Sequence, residues 1–594
     1  MQSGAAACPA SLSASERPQN RGARVTRWRG VMSAEVKRFV HDEANTERIR
    51  VAMRAAIANI ETNLVPVERL QPRTRLALAV SLLGGDHAPR KQKFTAGLRN
   101  ELLKVDADQR HYWLSTFYTL LMSATLRRDM ATFFTPPAIV RHLLARAENA
   151  GLDLTTARVI DPAAGGAAFV STLAGRMTEL GCKTDDIKKR LSGIEIDEHL
   201  ALLGEILLRD RLNETRAAAR RSIQVGDSLK IAKTAFYDAV FVNPPYGRLL
   251  GLGPQLPESW LAFAARGHIN RYALFIDLAF RMAKPGGLVA TVTPSSFLAG
   301  SLFQRLREYI RSKAEVVRID ILERKDVFHD VQQDACVSVF RMRSQSACLP
   351  AFVPKLGRVD RNWHFQEIGT ITAASSAQGA PWVLPERADG SDEALRSCRS
   401  RLSDYGVTPK AGYFVWNREK ERLQSGRKFG TDFPLIWARN IKPGDPCKPR
   451  SKSGTGIDFV SFDKDNPGII RRSAIILQRT TNSRQPRRLV AAVIPRQVVK
   501  RHKGFVAENH TILLIPHERS NLSLLCKLLN SKAVDKRFRC IGGTSSISIS
   551  ALKDLPLPDP RDMRTAMSRI KDFETAVEVA YEASRKRKTV ERAA

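Results

Sequence analysis

Ala239-Val240-Phe241-Val242-Asn243-Pro244-Pro245-Tyr246-Gly247 is the stretch on which the reading of the chain turns. Its first four residues are apolar and rich in β-branched and aromatic side chains, the pattern of a short buried strand. Two prolines then close it, because neither has an N–H to give and both fix φ. The turn that follows offers one amide side chain and backbone carbonyls as acceptors, with an aromatic ring beside them. Such a set suits an exocyclic amine on a flat ring. Taken alone, the same residues read equally well as a proline loop with a surface tyrosine, so the flanking sequence has to decide.

Upstream, strands and helices alternate from about 130 onward. Val159-Ile160 leads into Asp161-Pro162-Ala163-Ala164-Gly165-Gly166-Ala167-Ala168-Phe169, with a helix predicted over about 167–180. Small residues between a strand and a helix let backbone come close to a ligand, and the helix N-terminus favours an anionic group. About thirty residues on, after a strand at 192–194, stands Glu195, where an acid can accept from ribose hydroxyls. A strand at 223–225 ends in Gly226-Asp227-Ser228, whose carboxylate suits an adenine amine. Each feature has an ordinary alternative: a packing loop, a helix-start acid, an N-cap. Four candidate ligand groups at the ends of four consecutive strands, in order, describe a pocket for a nucleoside-bearing cofactor with an amine-holding turn at its lip.

Downstream, a helix over about 272–283 stops at Lys284-Pro285-Gly286-Gly287, and strands follow at 288–292, 316–321 and 336–340 around a helix near 301–312. Strands spaced by helices predict a mostly parallel sheet that binds its ligands at the carboxyl ends of the strands.

These motifs together resemble the N6-adenine DNA methyltransferases of restriction–modification systems whose motifs run in the gamma order: cofactor motifs, then catalytic motif, then recognition domain. Asn243-Pro244-Pro245-Tyr246 matches the family's catalytic signature. Thr132-Phe133-Phe134-Thr135-Pro136-Pro137 resembles the upstream motif that meets the methionine end of S-adenosylmethionine. Asp161 to Phe169 resembles the Asp-Pro-Ala-Cys-Gly-Ser-Gly-Ala-Phe loop, departing at Ala164, Gly166 and Ala167. The resemblance implies a Rossmann-like α/β methyltransferase domain and S-adenosylmethionine as cofactor. Its ligands would be Thr135, Asp161, Ala163, Gly165, Glu195, Asp227 and Asn243. It implies transfer to N6 of a flipped-out adenine in double-stranded DNA, with Asn243 and the Pro244 carbonyl holding the amine, Pro245 keeping the turn rigid, and Tyr246 and Phe328 stacking on the base. Tyr272-Ala273-Leu274-Phe275 and Thr293-Pro294-Ser295-Ser296-Phe297 match further motifs, as pocket lining and packing.

Beyond the catalytic stretch the expected organisation is a disordered leader at 1–31, with Met32 as an alternative start, a helical region at 32–125, the catalytic domain at 126–345, an α+β target-recognition domain at 346–560, and a C-terminal helix and basic tail at 561–594. Residues 371–400 read as a linker or irregular loop. Chain length alone admits about three or four domains. The net charge of +35 points to a polyanionic partner, most simply nucleic acid. Between Asp465 and Glu508 lie ten Lys or Arg residues and no acid, among them Arg479, Arg484, Arg487, Arg488 and Arg501, which are the expected phosphate contacts.

Eight scattered cysteines without a C-x-x-C pair argue against a zinc site and a disulfide framework, so no metal is expected and a reducing bacterial cytoplasm is. No apolar run approaches the roughly 20 residues that span a bilayer. Other partners expected are a companion restriction endonuclease on a separate chain and, as the oligomeric state, a monomer. Two readings compete: a specificity component with a degenerate cofactor pocket, for which Ala167 is the supporting departure, and a methyltransferase acting on RNA guanine or protein glutamine, which also use Asn-Pro-Pro-Tyr. The large domain after the catalytic one disfavours the latter.

Overall fold

The computed structural model describes residues 43–593 except 86, 124–125, 127–133, 215–220, 248–269, 323–334, 345–351, 361–363, 374–378, 384–397, 399, 425–430, 452–455, 482–484, 518–519 and 542–546. Four helices come first: α1 (Glu43–Asn63), α2 (Pro72–Val80), α3 (Pro89–Leu102) and α4 (Ala107–Leu120). Proline at the first turn starts α2 and α3, where a missing N–H costs nothing, and Asp106 caps α4 by accepting from the Gln109 N–H at 2.8 Å. Their apolar faces meet around Ile60, Leu98, Phe117 and Tyr118.

The helix α5 (Pro137–Asn149) leads into a nine-stranded sheet of order β3-β2-β1-β4-β5-β7-β6-β8-β9. Strands β1 (Val159–Asp161), β2 (Leu191–Glu195), β3 (Ile223–Val225), β4 (Tyr237–Val242) and β5 (Ala283–Pro294) run parallel. Helices α6 (Ala168–Glu179), α7 (Thr184–Arg190), α8 (Glu198–Leu212), α9 (Ser228–Ile231) and α10 (Arg271–Met282) lie along the crossovers. Then α11 (Gln304–Lys313) precedes β6 (Ala314–Leu322), and β7 (Ala335–Met342) inserts antiparallel between β5 and β6.

Alternation along each strand builds the two faces. Ala239 and Phe241 of β4 face the core under α5 and α6, while Val240 and Val242 face the core under α10 and α11. Leu200, Leu203 and Leu207 of α8 carry apolar contact from the sheet into the core of α1–α4, so the N-terminal helices are the flank of the catalytic layer. The sheet also runs past 345, the boundary expected from sequence, through β8 (Lys355–Val359) and β9 (Phe365–Thr370). The expected linker begins as a short hairpin, β10 (Thr372–Ala373) with β11 (Trp382–Val383). Its Trp382 is fully buried against Phe297 and Phe352, a large apolar burial that a free linker would forgo. The expected leader lies outside the described residues.

From Cys398 a second unit follows. It holds the sheet β12-β19-β16-β17, from β12 (Val407–Ala411), β16 (Ala474–Gln478), β17 (Ala491–Ile494) and β19 (Thr511–Pro516). Beside it lies β13-β15-β14-β18, from β13 (Leu423–Gln424), β14 (Asp432–Ile436), β15 (Phe459–Ser461) and β18 (Val506–Ala507). Helix α12 (Arg496–His502) joins β17 to β18, and α13 (Leu522–Leu529), α14 (Lys532–Ile541), α15 (Ile549–Lys553), α16 (Pro560–Arg569) and α17 (Phe573–Ala593) end the described chain. The single C-terminal helix expected within 561–594 is two helices: Ile570 is extended, and Asp572 accepts from the Thr575 N–H at 2.8 Å at the start of α17. Met563, Val577, Ala580 and Tyr581 are buried with Ile475, Leu477, Ile512 and Leu514, so 561–594 supplies part of the second unit's core. Among the described residues no helix is long and apolar enough to cross a membrane.

Candidate active site

Strands β1 to β5 end at one rim of the sheet, and the residues singled out in the sequence gather there. The loop after β1 is strapped to β2: the Ala164 N–H donates to the Ile194 carbonyl at 2.9 Å, and the Gly165 N–H to Glu195 Oε2 at 2.8 Å. Glu195 Oε1 accepts from the Asp197 N–H at 3.0 Å, and the Gly226 N–H beyond β3 donates to the Glu195 carbonyl at 2.9 Å. Glu195 therefore ties three successive strand ends together. The backbone donors at Gly165, Ile196 and Asp197 still leave an acceptor position over, since a carboxylate has about four.

Gly165 has φ +50°, and a Cβ there would sit 3.1 Å from the Phe134 ring, which packs over the loop. Ala167 occupies a position where the resembling family carries glycine, and it takes the left-handed conformation glycine would take, φ 58°. Its methyl is accommodated opposite Gly204 of α8, where a side chain would collide with Ile223. A left-handed non-glycine residue carries a local cost of about 1 kcal/mol or more.

Asp161 is buried and accepts from the Ala163 N–H at 2.9 Å. Burial pushes its carboxyl up to about 8, with the neighbouring Glu195 adding to the rise. Burial raises Glu195 as well, against its backbone donors. Asp227 accepts from the Leu229 N–H at 3.1 Å and caps α9, so the ordinary N-cap role holds for one of its oxygens; the other faces Lys230 at 3.7 Å. Thr135 is buried immediately before the Pro136-Pro137 start of α5.

The Asn243–Gly247 turn leaves β4 between β1 and β5. Tyr246 donates its hydroxyl to the Val292 carbonyl of β5 at 3.2 Å, and its ring packs against the cores on both faces of the sheet. Burial, with Cys336 and Tyr272 nearby, raises its phenol well above the usual value. The Gly247 carbonyl accepts from the Arg271 N–H at 2.9 Å, which fixes the far side of the turn to the start of α10. The Tyr272 hydroxyl stands 3.4 Å from the Ser296 hydroxyl, and its ring, buried, packs on Phe303.

Three apolar residues at this rim escaped the sequence reading. Ile196 (69% exposed) follows Glu195, and Val225 (42% exposed) and Ile231 flank Asp227. Exposed aliphatics beside strand-end carboxylates make a surface for a flat ring whose polar edge the acids hold. The signal in the sequence was Ile196 directly after Glu195, with Val225 two residues before Asp227 and Ile231 four after it, where solvent should otherwise select polarity.

The basic stretch divides. Arg501 on α12 is exposed. Arg479 donates to the Asn509 carbonyl at 3.2 Å and Arg487 to the Asn530 carbonyl, both half-buried. Arg488 corrects the expectation: it is 2% exposed and lies over the Phe538 ring, inside the second unit's core. A guanidinium so placed cannot reach a phosphate. Arg484 and Phe328 lie outside the described residues.

S-adenosylmethionine brings a sulfonium and an ammonium cation, a ribose diol and an adenine. The donor set at the rim fits it: a buried carboxylate at Asp161 and a half-buried one at Glu195, whose ionisation a cation would favour, a further acceptor at the end of β3, and exposed aliphatics between them.

Residues 100–328 match the family of Eco57I restriction-modification methylases. The chain is 22% identical over 498 residues to the Type II methyltransferase M.BsuBI of Bacillus subtilis, covering 75% of this chain and 90% of that protein. It is 22% identical over 356 residues to the Type II methyltransferase M.PstI of Providencia stuartii, covering 57% of this chain and 68% of that one. In fold it is similar to the DrdV chain of a cryo-EM DrdV–DNA complex, with TM-score 0.51 and 11% identity over 91% of this chain and 71% of that chain.

Proposed function

Taking the chain as a DNA methyltransferase of the restriction–modification kind that uses S-adenosylmethionine, we propose that it methylates N6 of a specific adenine in double-stranded DNA and so protects that site from a companion endonuclease. The observation that carries this is the Asn243–Tyr246 turn, held at the strand rim beside the cofactor residues by the Tyr246 contact to Val292 and the Gly247 contact to Arg271.

An adenine amine is conjugated into its ring and is a poor nucleophile. Hydrogen bonds from it to the Asn243 side-chain oxygen and the Pro244 carbonyl favour a more tetrahedral nitrogen with a freer lone pair. Pro245 keeps those two acceptors in register, since its ring fixes φ. The cofactor supplies an electrophilic methyl group. This chain's residues supply position and electrostatics: Glu195 for the ribose hydroxyls, Asp227 for the cofactor's adenine amine, Ile196 and Val225 for its ring, and Asp161 and Thr135 toward its charged end.

Base-paired adenine cannot reach this pocket, so the target must leave the stack, at about a few kcal/mol. Stacking on Tyr246 returns about 1–3 kcal/mol, with Phe328 as the second ring. The second unit, with Arg501 and neighbouring exposed cations on α12, meets the duplex.

Labelled S-adenosylmethionine incubated with the protein and duplex DNA, followed by digestion to nucleosides, tests the reading. Label in N6-methyladenine supports it; label confined to another base, to RNA or to protein sinks it. Asn243→Ala should lower transfer by about a hundredfold or more while cofactor affinity falls far less, as expected for a group whose main partner is the amine.

A further inference from the structure

The loop that holds Glu195 is itself held from outside the strand-and-helix layer. The Ser115 hydroxyl on α4, buried, donates to the Gly166 carbonyl at 3.2 Å. Gly166 has an ordinary negative φ, so conformation does not demand glycine there; space does. A Cβ at 166 would run into the Ser115 side chain and come within 2.9 Å of the Phe134 ring.

Helix α4 is registered against α6, the helix that this loop starts. His111 places one ring nitrogen 2.7 Å from the Ser171 hydroxyl of α6 and the other 2.8 Å from Asp210 of α8. Asp108 pairs with Arg211 of α8 and with Arg141 of α5 at 2.6 Å, and accepts from the Thr172 hydroxyl of α6 at 3.2 Å. A helix tied this way to three others cannot slide without breaking buried polar contacts, each costly to leave unmade.

We propose that Ser115 is a positioning residue for cofactor binding. It acts through a relay in which its hydroxyl sets the Gly166–Ala167 peptide, the Ala167 N–H of that peptide holds the Ala164 carbonyl at 2.7 Å, the Gly165 N–H on the same peptide as that carbonyl orients the Glu195 carboxylate, and Glu195 receives the ribose hydroxyls. Each link is a hydrogen bond or a shared peptide: Ser115 to the Gly166 carbonyl, Ala167 N–H to the Ala164 carbonyl at 2.7 Å, Gly165 N–H to Glu195 at 2.8 Å, and Glu195 braced from its other side by the Asp197 N–H. The relay makes α4, which contributes no ligand itself, a determinant of cofactor affinity. It rests on the cofactor assignment and not on which base is methylated.

Calorimetric titration of the full chain with S-adenosylhomocysteine tests it, with no need for a methyl acceptor. Ser115→Ala should weaken binding roughly tenfold, about the worth of one buried hydrogen bond. Glu195→Gln should weaken it at least as much, and the double variant should bind no more weakly than Glu195→Gln alone, because both changes break one relay. A structural role for Ser115 unconnected to Glu195 would instead give independent effects, and a double variant weaker by a further tenfold overturns the proposal. Unchanged affinity in Ser115→Ala overturns it too. Gly166→Ala disturbs the same contact from the other partner, pressing a methyl against Ser115 without changing any residue of α4. It should give the same loss and the same non-additivity with Glu195→Gln, and wild-type binding by this variant counts against the relay. Absence of binding by the unaltered chain would overturn the cofactor assignment and the relay together, whereas additive losses on intact binding overturn the relay alone.

Discussion

Asp161 is a carboxyl that its own fold keeps largely protonated near neutral pH. Burial raises it from the ordinary value near 4 to about 8. The sign of the linkage follows. Between about pH 4 and 8 the folded chain holds a proton the unfolded chain has lost, so this group subtracts stability as pH rises through that window. A cationic ligand reverses the preference by favouring the ionised form. Affinity for S-adenosylmethionine should therefore climb from about pH 6 to about pH 8 with release of a proton, read by calorimetry in buffers of different ionisation enthalpy. Asp161→Asn should flatten that climb; an unchanged pH profile in the variant would assign the proton elsewhere. The arginines of the basic stretch separate on the same scale. Arg501→Ala should weaken DNA binding and lower the slope of log K against log salt by about 1. Arg488→Ala should leave that slope alone and destabilise the second unit by roughly 2–4 kcal/mol in urea unfolding, because it removes a buried side chain packed on Phe538.

At the scale of elements, the segment after β5 shows how a buried charge can organise a loop. Arg307 of α11 donates to the carbonyls of Phe297 at 2.9 Å, Gly300 at 2.8 Å, Gly379 at 2.8 Å and Ala380 at 3.0 Å. Burial lowers its guanidinium to about 10, still charged at neutral pH. One side chain thus fastens the Thr293–Phe297 motif to the approach to β11. Arg307→Met keeps much of the volume and removes every donor, leaving buried carbonyls unmatched. It should cost about 3 kcal/mol or more and raise amide exchange at 298–303 and 382 ahead of the rest of the sheet. Uniform exchange across the sheet would assign the loss to packing in general. Helix α4 teaches the companion lesson. In sequence it is one part of a helical region with no visible chemistry, yet it sets the cofactor loop through Ser115. Nothing in its own periodicity could say so, because the partner carbonyl lies at Gly166, 51 residues away in sequence.

For the whole molecule, the domain plan read from sequence needs its edges moved. The catalytic sheet reaches Thr370, the N-terminal helices share a core with α8, and the last two helices complete the second unit. A chain ending at 560 should lose the burial of Met563, Val577, Ala580 and Tyr581 and leave the second unit unfolded or insoluble, while one ending at 584 should keep the native melting transition; equal stability of the two would refute that assignment. What the sequence determined by itself was the order of short-range events: a strand, a small-residue turn, an acid, a second acid, a proline-locked turn. Strand ends and tight turns are governed by side-chain sterics within a few residues, so Asp161, Glu195, Asp227 and Asn243 were legible without a structure. Boundaries were not, because a strand such as β8 or a tryptophan such as Trp382 joins a core only through partners distant in the chain. Nor was the fate of each arginine, since Arg488 and Arg501 carry the same charge in the same basic run and differ only in what packs around them. Tertiary structure alone decided that one is core and the other surface, and that a serine outside the methylase motifs holds the loop those motifs build.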